Sequence, residues 1–318
     1  MLAEQLLDLR NAGASPVLDP RVRKVVLDVM KAAIAHMVMI DQEPLGSMGR
    51  AAHLERPHGL LLVNPRSGRG RPDAAELAQE AEARGVEAHI LRQGEDAAEL
   101  ARASDAEVLG MAGGDGSLGL VAGVALERDL PFVCVPFGTR NHFARDIGLD
   151  RNDPLGALAA FDSGRELRID VGRVHERIFL NNVSFGIYAR LVRRRETHRR
   201  RRDAFAHLRA LWLTARHRHP EPLTLNGERL DARILLLANN AYELDVFDLG
   251  ARGRLDRGSL HAYIAHDWLP RAWDDRRGES FTVGGVGNLR AAVDGEPVDL
   301  GPRAQLRIEP GALRILVP

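Results

Sequence analysis

Three short stretches hold residue types that can do chemistry. The first, Leu109-Gly110-Met111-Ala112-Gly113-Gly114-Asp115-Gly116-Ser117, runs an apolar segment into a glycine turn containing one acid. Glycine has no Cβ, so backbone there can approach a ligand closely. Amides at the start of a following helix favour an anion, phosphate above all. An acid in such a turn repels phosphate unless a divalent cation lies between them, so Asp115 among Gly113, Gly114, Gly116 and Ser117 suggests a metal–phosphate unit. Alone, Gly-Gly-Asp-Gly is more often a plain turn.

The second stretch is Val135-Pro136-Phe137-Gly138-Thr139-Arg140-Asn141-His142-Phe143-Ala144. It offers a glycine for close approach, then hydroxyl, guanidinium and amide donors suited to phosphate or ribose. The third, Val293-Asp294-Gly295-Glu296-Pro297, sets two carboxylates astride a glycine. In isolation it reads as a hairpin turn.

These stretches need elements to hold them. Gly59-Leu60-Leu61-Leu62-Val63 is a continuous apolar run of the kind a buried parallel strand shows, and it ends in the donor-rich loop Asn64-Pro65-Arg66-Ser67-Gly68. A helix is predicted from Pro72-Asp73-Ala74 to about Arg84, a strand over Glu87–Leu91 and a helix over Asp96–Ala103. Strands at Val108–Met111 and Pro131–Val135 then flank the glycine turn. This alternation predicts an α/β fold with a doubly wound parallel sheet over 58–165, its ligand at the carboxyl ends of the strands. From 166 to 318 the helices thin out, and Leu167–Val171, Ile178–Val183, Ile234–Ala238, Leu260–Ile264 and Leu306–Leu316 read as strands of a mostly β, sandwich-like second domain. Its last strand is left free to return to the first domain. A basic, helical insertion is predicted at 189–219, and residues 1–57 read as a helical appendage and linker.

Composition removes several classes. The chain has 318 residues and a formal net charge of zero, so no global field marks it as a nucleic-acid binder. Cys134 is its only cysteine, which excludes an internal disulfide and a cysteine zinc site and suits a reducing, cytoplasmic compartment. The start Met1-Leu2-Ala3-Glu4 has no basic n-region, predicting no signal peptide, and no apolar run reaches membrane-spanning length. The only lysines are Lys24 and Lys31, so neither a phosphate-loop NTPase nor a protein kinase has its lysine downstream.

Together the stretches resemble the diacylglycerol kinase catalytic-domain family, bacterial lipid kinases related to sphingosine kinases and more distantly to NAD kinases. The likeness rests on Asn64-Pro65-Arg66-Ser67-Gly68, Gly113-Gly114-Asp115-Gly116-Ser117 and Pro136 to Arg145. Asp170-Val171-Gly172, Phe179-Leu180-Asn181-Asn182, Phe185-Gly186, Asp294-Gly295-Glu296 and Pro310-Gly311-Ala312-Leu313 follow in order. The resemblance implies ATP and Mg²⁺ as cofactors. It places the phosphates against Asn64, Ser67, the 113–117 amides, Gly138, Thr139 and Asn141, and the metal at Asp115, Asp170 and, in a separate loop, Asp256. It implies Glu296 as the base for a substrate hydroxyl, with Asp294 beside it in the acidic cluster. The chain departs from the family pattern at His142, where an acid is usual, at Gly119, Leu120 and Gly123, and at Arg257.

The resemblance further implies a membrane-lipid substrate, most often diacylglycerol, and a cytoplasmic enzyme peripheral to the inner membrane face. The arginine tract Arg193–Arg202, followed by Phe205, Leu208, Leu211 and Trp212 at helical spacing, suits an anionic membrane surface, predicting attachment through 193–219. No nucleic-acid partner is expected. Apolar residues of Val22 to Ile40 at helical spacing leave a homodimer contact open. A soluble-substrate kinase is a close variant of this reading, and the rival from another class is a nucleotide-binding regulator or lipid sensor with little catalysis.

Overall fold

A computed structural model describes residues 57–68, 70, 72–138, 141–186, 222–232, 234–243, 251–266 and 273–318. The expected appendage helix of 22–40, the basic insertion with its membrane contact, and Thr139 lie outside the described residues.

The first part of the chain alternates as its pattern predicts: β1 (Gly59–Val63), α1 (Ala74–Ala83), β2 (Glu87–Ile90), α2 (Ala97–Ala103), β3 (Val108–Gly113), α3 (Asp115–Glu127) and β4 (Phe132–Pro136). Helix α1 starts where Asp73 accepts from the amides of Ala75 and Glu76 while Glu76 reaches back to the Asp73 amide, a complete capping box. Asp96 caps α2 in the same way, through Ala98 and Glu99. Short helices α4 (His142–Asp146), α5 (Pro154–Ala157) and α6 (Ala160–Ser163) follow.

Strands β5 (Arg165–Val174), β6 (Arg177–Phe179), β7 (Asn182–Gly186), β8 (Leu223–Leu225), β9 (Glu228–Leu230), β10 (Ile234–Asn239), β11 (Leu260–Ala265), β12 (Asp274–Gly278), β13 (Ser280–Gly285), β14 (Arg290–Val293), β15 (Glu296–Asp299) and β16 (Arg303–Val317) complete the described elements. The expected single strand Ile178–Val183 is two strands, because Leu180 and Asn181 break from the ladder to give their amides to Asp294. The β8–β9 hairpin turns on Asn226-Gly227, both at positive φ, a turn signal that the sequence reading passed over.

The fold is α/β with a second, mostly antiparallel β layer. One sheet of ten strands runs β2-β1-β3-β4-β16-β13-β8-β9, with β5 paired to β16 and β6 to β5. Strands β2, β1, β3 and β4 are parallel, and β16 joins β4 in parallel at Ile315↔Phe132. The final strand thus crosses from the β region into the edge of the parallel array. The second sheet, of six strands, runs β12-β11-β10-β7-β14-β15 and is antiparallel throughout.

Burial explains the two sequence patterns. In β1, Leu60 and Leu62 pack with Leu118, Val121, Ala122 and Ala125 of α3, while Leu61 and Val63 pack with Leu77 and Ala81 of α1 and with Phe161. Both faces are covered, so every position is apolar. A separate core lies between the sheets, where Val174, Phe281, Val283, Leu306 and Ile308 face Val183, Phe185, Leu235, Leu237, Ala262 and Val293. Each layer there has one face in this core, giving the sandwich its alternation. Among the described residues no helix is long and apolar enough to cross a membrane.

Candidate active site

Register brings the first two stretches together. Val63 pairs with Ala112 and Ala112 with Val135, so the loops leaving β1, β3 and β4 start level at one sheet edge. They are laced to one another: Asn64 donates its amide to Ala112 O at 2.9 Å, and Phe137 its amide to Gly113 O at 3.2 Å.

The backbones of Gly138 and Gly114 approach each other closely. A Cβ on Gly138 would lie 2.5 Å from Gly114 Cα and 2.7 Å from Asn141 Oδ1, so only glycine fits. Asn141, in the left-handed region at φ 48°, folds its amide back, accepting from Gly138 N at 2.8 Å and donating to Gly138 O and Arg151 O. Its side chain, 4 % exposed, shapes the loop. Ser117 likewise turns its hydroxyl to Gly114 O at 2.9 Å, and Asn64 Oδ1 takes the Arg66 amide at 3.1 Å. Ser67 lies in the first loop, its amide on Asn64 O.

What remains at this edge is the start of α3. Its N-cap is Gly114, without a side-chain hydrogen bond to the first turn, so the opening amides of a 13-residue helix have no side-chain partner at the cap. Such an end, approached closely by glycine backbone, fits a phosphate group.

Asp115 stands on the first turn of α3. Its carboxylate accepts from Phe143 N at 3.0 Å, His142 N at 3.3 Å and Asn181 Nδ2 at 3.4 Å. A carboxylate offers about four acceptor positions, so about one remains. Mg²⁺ commonly uses one or two carboxylates beside substrate phosphates and water. Asp115 thus has an acceptor position that could serve a metal–phosphate unit.

The third stretch comes from the six-stranded sheet. Asp294 and Gly295, at φ 46° and 86°, form a tight turn between β14 and β15, with Val293 opposite Glu296. Asp294 points inward, accepting from Leu180 N at 2.7 Å, Asn181 N at 2.8 Å and Asn182 N at 3.0 Å. Burial pushes its carboxyl up to about 6, against the pull of those three amides and with a small further push from Asp115. Three backbone amides engage it, leaving about one acceptor position as at Asp115, and through them it holds the turn. Glu296, next but one, projects onto the glycine turn. A Cβ on Gly116 would lie 2.6 Å from Glu296 Cγ and 2.8 Å from its Cδ.

The other two expected metal positions, Asp170 and Asp256, are engaged with protein groups. Asp170, 1 % exposed, accepts from Asn240 Nδ2 at 3.1 Å, Gly258 N at 2.6 Å and Gly311 N at 2.8 Å, pinning two loops with its charge. Asp256 forms a two-pronged pair with Arg254, which holds its carboxyl below the usual range. Among the described residues no three His, Cys, Asp or Glu side chains gather as a metal site.

Residues that the sequence reading assigned no part complete the site. Asn181, Asn239 and Asn240 are buried at strand ends, where doubled asparagines after apolar runs were the available signal. Arg252 is 2 % exposed and donates to Asp146 Oδ2 at 2.7 Å, Asn181 Oδ1 at 2.7 Å, Leu180 O at 2.6 Å and Asn239 O at 3.0 Å. Nothing local marks it among the many arginines.

Loops from three parallel strand ends thus meet a carboxylate hairpin from the second sheet over an open helix start. The family model of the diacylglycerol kinase catalytic domain matches residues 58–174, the span that builds those loops. Residues 58–174 are similar to that family. Diacylglycerol kinases from Staphylococcus aureus strains JH9 and Newman are each 34 % identical to this chain over 143 residues, which cover 41 % of it and 44 % of the relative. The match spans less than half the length of these curated relatives. A crystal structure of a putative diacylglycerol kinase from Bacillus anthracis str. Sterne shares the fold at TM-score 0.62 and 19 % identity, covering 82 % of this chain and 98 % of that one. A second structure of a diacylglycerol kinase from that organism gives TM-score 0.62 at 18 % identity, over 84 % and 99 %. The matched span 58–174 supplies the loops that leave β1, β3 and β4, and Glu296 enters from beyond it.

Proposed function

We propose that the protein is an ATP-dependent lipid kinase that transfers a γ-phosphoryl group to a hydroxyl of a membrane lipid, diacylglycerol being the acceptor class that the relatives' names favour. The observation that carries this reading is Glu296 lying on Gly116, one carboxylate at the mouth of an uncapped, glycine-lined helix start. Phosphoryl transfer needs mainly positioning and charge neutralisation, with few reactive side chains.

In this reading the α3 amides bind phosphate oxygens while Gly114 and Gly138 let the backbone come close. Glu296 accepts the proton of the acceptor hydroxyl as its oxygen bonds to the γ-phosphorus and the bond to the β-phosphate oxygen breaks, releasing ADP. Mg²⁺, with Asp115 as its protein ligand, would offset the phosphate charge when bound. Asp294 keeps the hairpin at the height that Glu296 needs. Attachment of the basic segment 193–219 to an anionic lipid surface belongs to the same proposal, as does a location at the inner membrane face.

The second reading, a nucleotide-binding regulator with little catalysis, is favoured by His142 in a usually acidic place. Transfer of labelled γ-phosphate from ATP into lipids of anionic vesicles decides between them. The kinase reading expects a labelled lipid with the native chain, and its loss by about 10²-fold or more in Glu296→Gln, on the scale of removing a general base. Mg²⁺-ATP binding without transfer to any lipid or soluble alcohol establishes the regulator.

A further inference from the structure

Four side chains and one short helix close a ring across the two sheets. Asp115 of the glycine turn accepts the amides of His142 and Phe143, which open α4. That helix ends on Asp146, whose buried carboxylate takes Arg252 Nε at 2.7 Å and also pairs with Arg145. Arg252 donates through its NH2 nitrogen to Asn181 Oδ1, and Asn181 Nδ2 returns to Asp115. Four N–H groups of Arg252 are directed at four acceptors, and its guanidinium lies 5.5 Å from the centre of the Tyr242 ring.

The direction of the Asn181 amide follows from this chemistry. A guanidinium only donates, so the oxygen of Asn181 must face Arg252 and its NH₂ must face Asp115. Without Arg252 the amide is held in that direction only by its 3.4 Å bond to Asp115, so its position is less firmly fixed. The ring also joins the glycine turn, on the parallel sheet, to Asn181, which adjoins the amides holding Asp294. Glu296 stands two residues from Asp294.

We infer that Arg252 is a positioning residue: through Asn181 and Asp146 it sets Asp115 and the α4 amides, and with them the reach of Glu296 over the helix start. It touches neither nucleotide nor acceptor in this scheme. The kinetic part rests on the kinase reading, whereas the structural part does not. A displacement of the order of 1 Å at a reacting group costs about 10²-fold in rate.

The test has two arms. In the full chain, amide hydrogen exchange is followed at His142 and Phe143 and, as a reference, across Leu109–Ala112 of β3. Arg252→Lys and Asn181→Ala are each expected to speed exchange at 142 and 143 by about 10-fold or more, with the β3 amides unchanged, as for local opening below the global limit. Native exchange at 142 and 143, or equal acceleration in β3, overturns the inference. Should Arg252→Lys not fold, Asn181→Ala decides alone, since it leaves the Arg252–Asp146 pair in place.

In the kinetic arm kcat is expected to fall about 10²-fold in Arg252→Lys while KM for ATP stays within about threefold. The double variant should be no slower than the slower single, because both act through one contact. Asn181→Asp still accepts from Arg252 but turns a second oxygen on Asp115, so it should be worse than Asn181→Ala. Rescue by Asn181→Asp, or native kcat per folded molecule in Arg252→Lys, overturns the positioning role. If the native chain phosphorylates no acceptor, the kinase reading fails, and the exchange arm still judges the ring.

Discussion

Glu296 rests on the α-carbon of Gly116: any Cβ there would fall within 2.6 Å of the glutamate Cγ. The two residues are 180 positions apart in sequence, one in the first turn of α3 and the other opening β15 of the six-stranded sheet. One is the second residue of the helix that faces phosphate, and the other is the proposed base.

The contact makes Gly116→Ala a probe of the base without a large cost to the fold. The atoms in the way are Oε1, Cγ and Cδ of an exposed side chain rather than backbone, so the glutamate shifts before the fold does. Phosphoryl transfer is expected to fall about 10²-fold as Glu296 is displaced, with a melting temperature within about 2 °C of native. Transfer assays beside thermal unfolding check both; native transfer rates would separate Glu296 from the reaction.

Gly138→Ala should behave differently, because its neighbour is the Gly114 backbone and not a mobile side-chain end. Overpacking of this kind costs about 1–3 kcal/mol. Both stability and nucleotide affinity are expected to drop, read by denaturant unfolding and by titration with an ATP analogue.

Asp294 gives a signed pH dependence. Its carboxyl titrates near 6 in the folded chain, above its ordinary 3.8, because burial outweighs three amide hydrogen bonds. Between those values the native state holds a proton that the unfolded chain has released, so this group's contribution to stability falls as pH rises from about 4 to about 6. Glu166 beside Arg314 and Glu309 beside Arg173 are held below their usual range and act in the opposite sense, losing stability as pH falls. The difference between native and Asp294→Asn unfolding curves cancels those pairs. It should slope across the window from about 4 to about 6; a flat difference would remove Asp294 as its source.

Cys134 is the chain's only cysteine and lies 1 % exposed within β4, where burial raises its thiol far above the ordinary range. It should resist alkylation at neutral pH in the folded chain and react fully in denaturant. Its labelling rate then reports opening of the parallel sheet, and rapid labelling under native conditions would contradict the packing of β4.

Short-range information determined much of this protein. The β1 run with both faces apolar, the capping residues Asp73 and Asp96, the glycine turn at 113–116 and the Asp294-Gly295 turn are each decided by neighbours within a few positions. Periodicity and turn chemistry act over that range, so strand-helix alternation and the site loops were legible in one dimension. Only the tertiary structure decided what each acid does. Asp294 meets the Leu180 amide across 114 positions, and Asp170 the Gly311 amide across 141. A carboxylate's part depends on which donors the fold brings to it, and a side chain on its own is equally suited to metal, proton or amide. The same reason hid Arg252: in sequence it is one arginine of many, and it becomes singular where burial demands that its charge meet Asp146, Asn181 and two carbonyls at once.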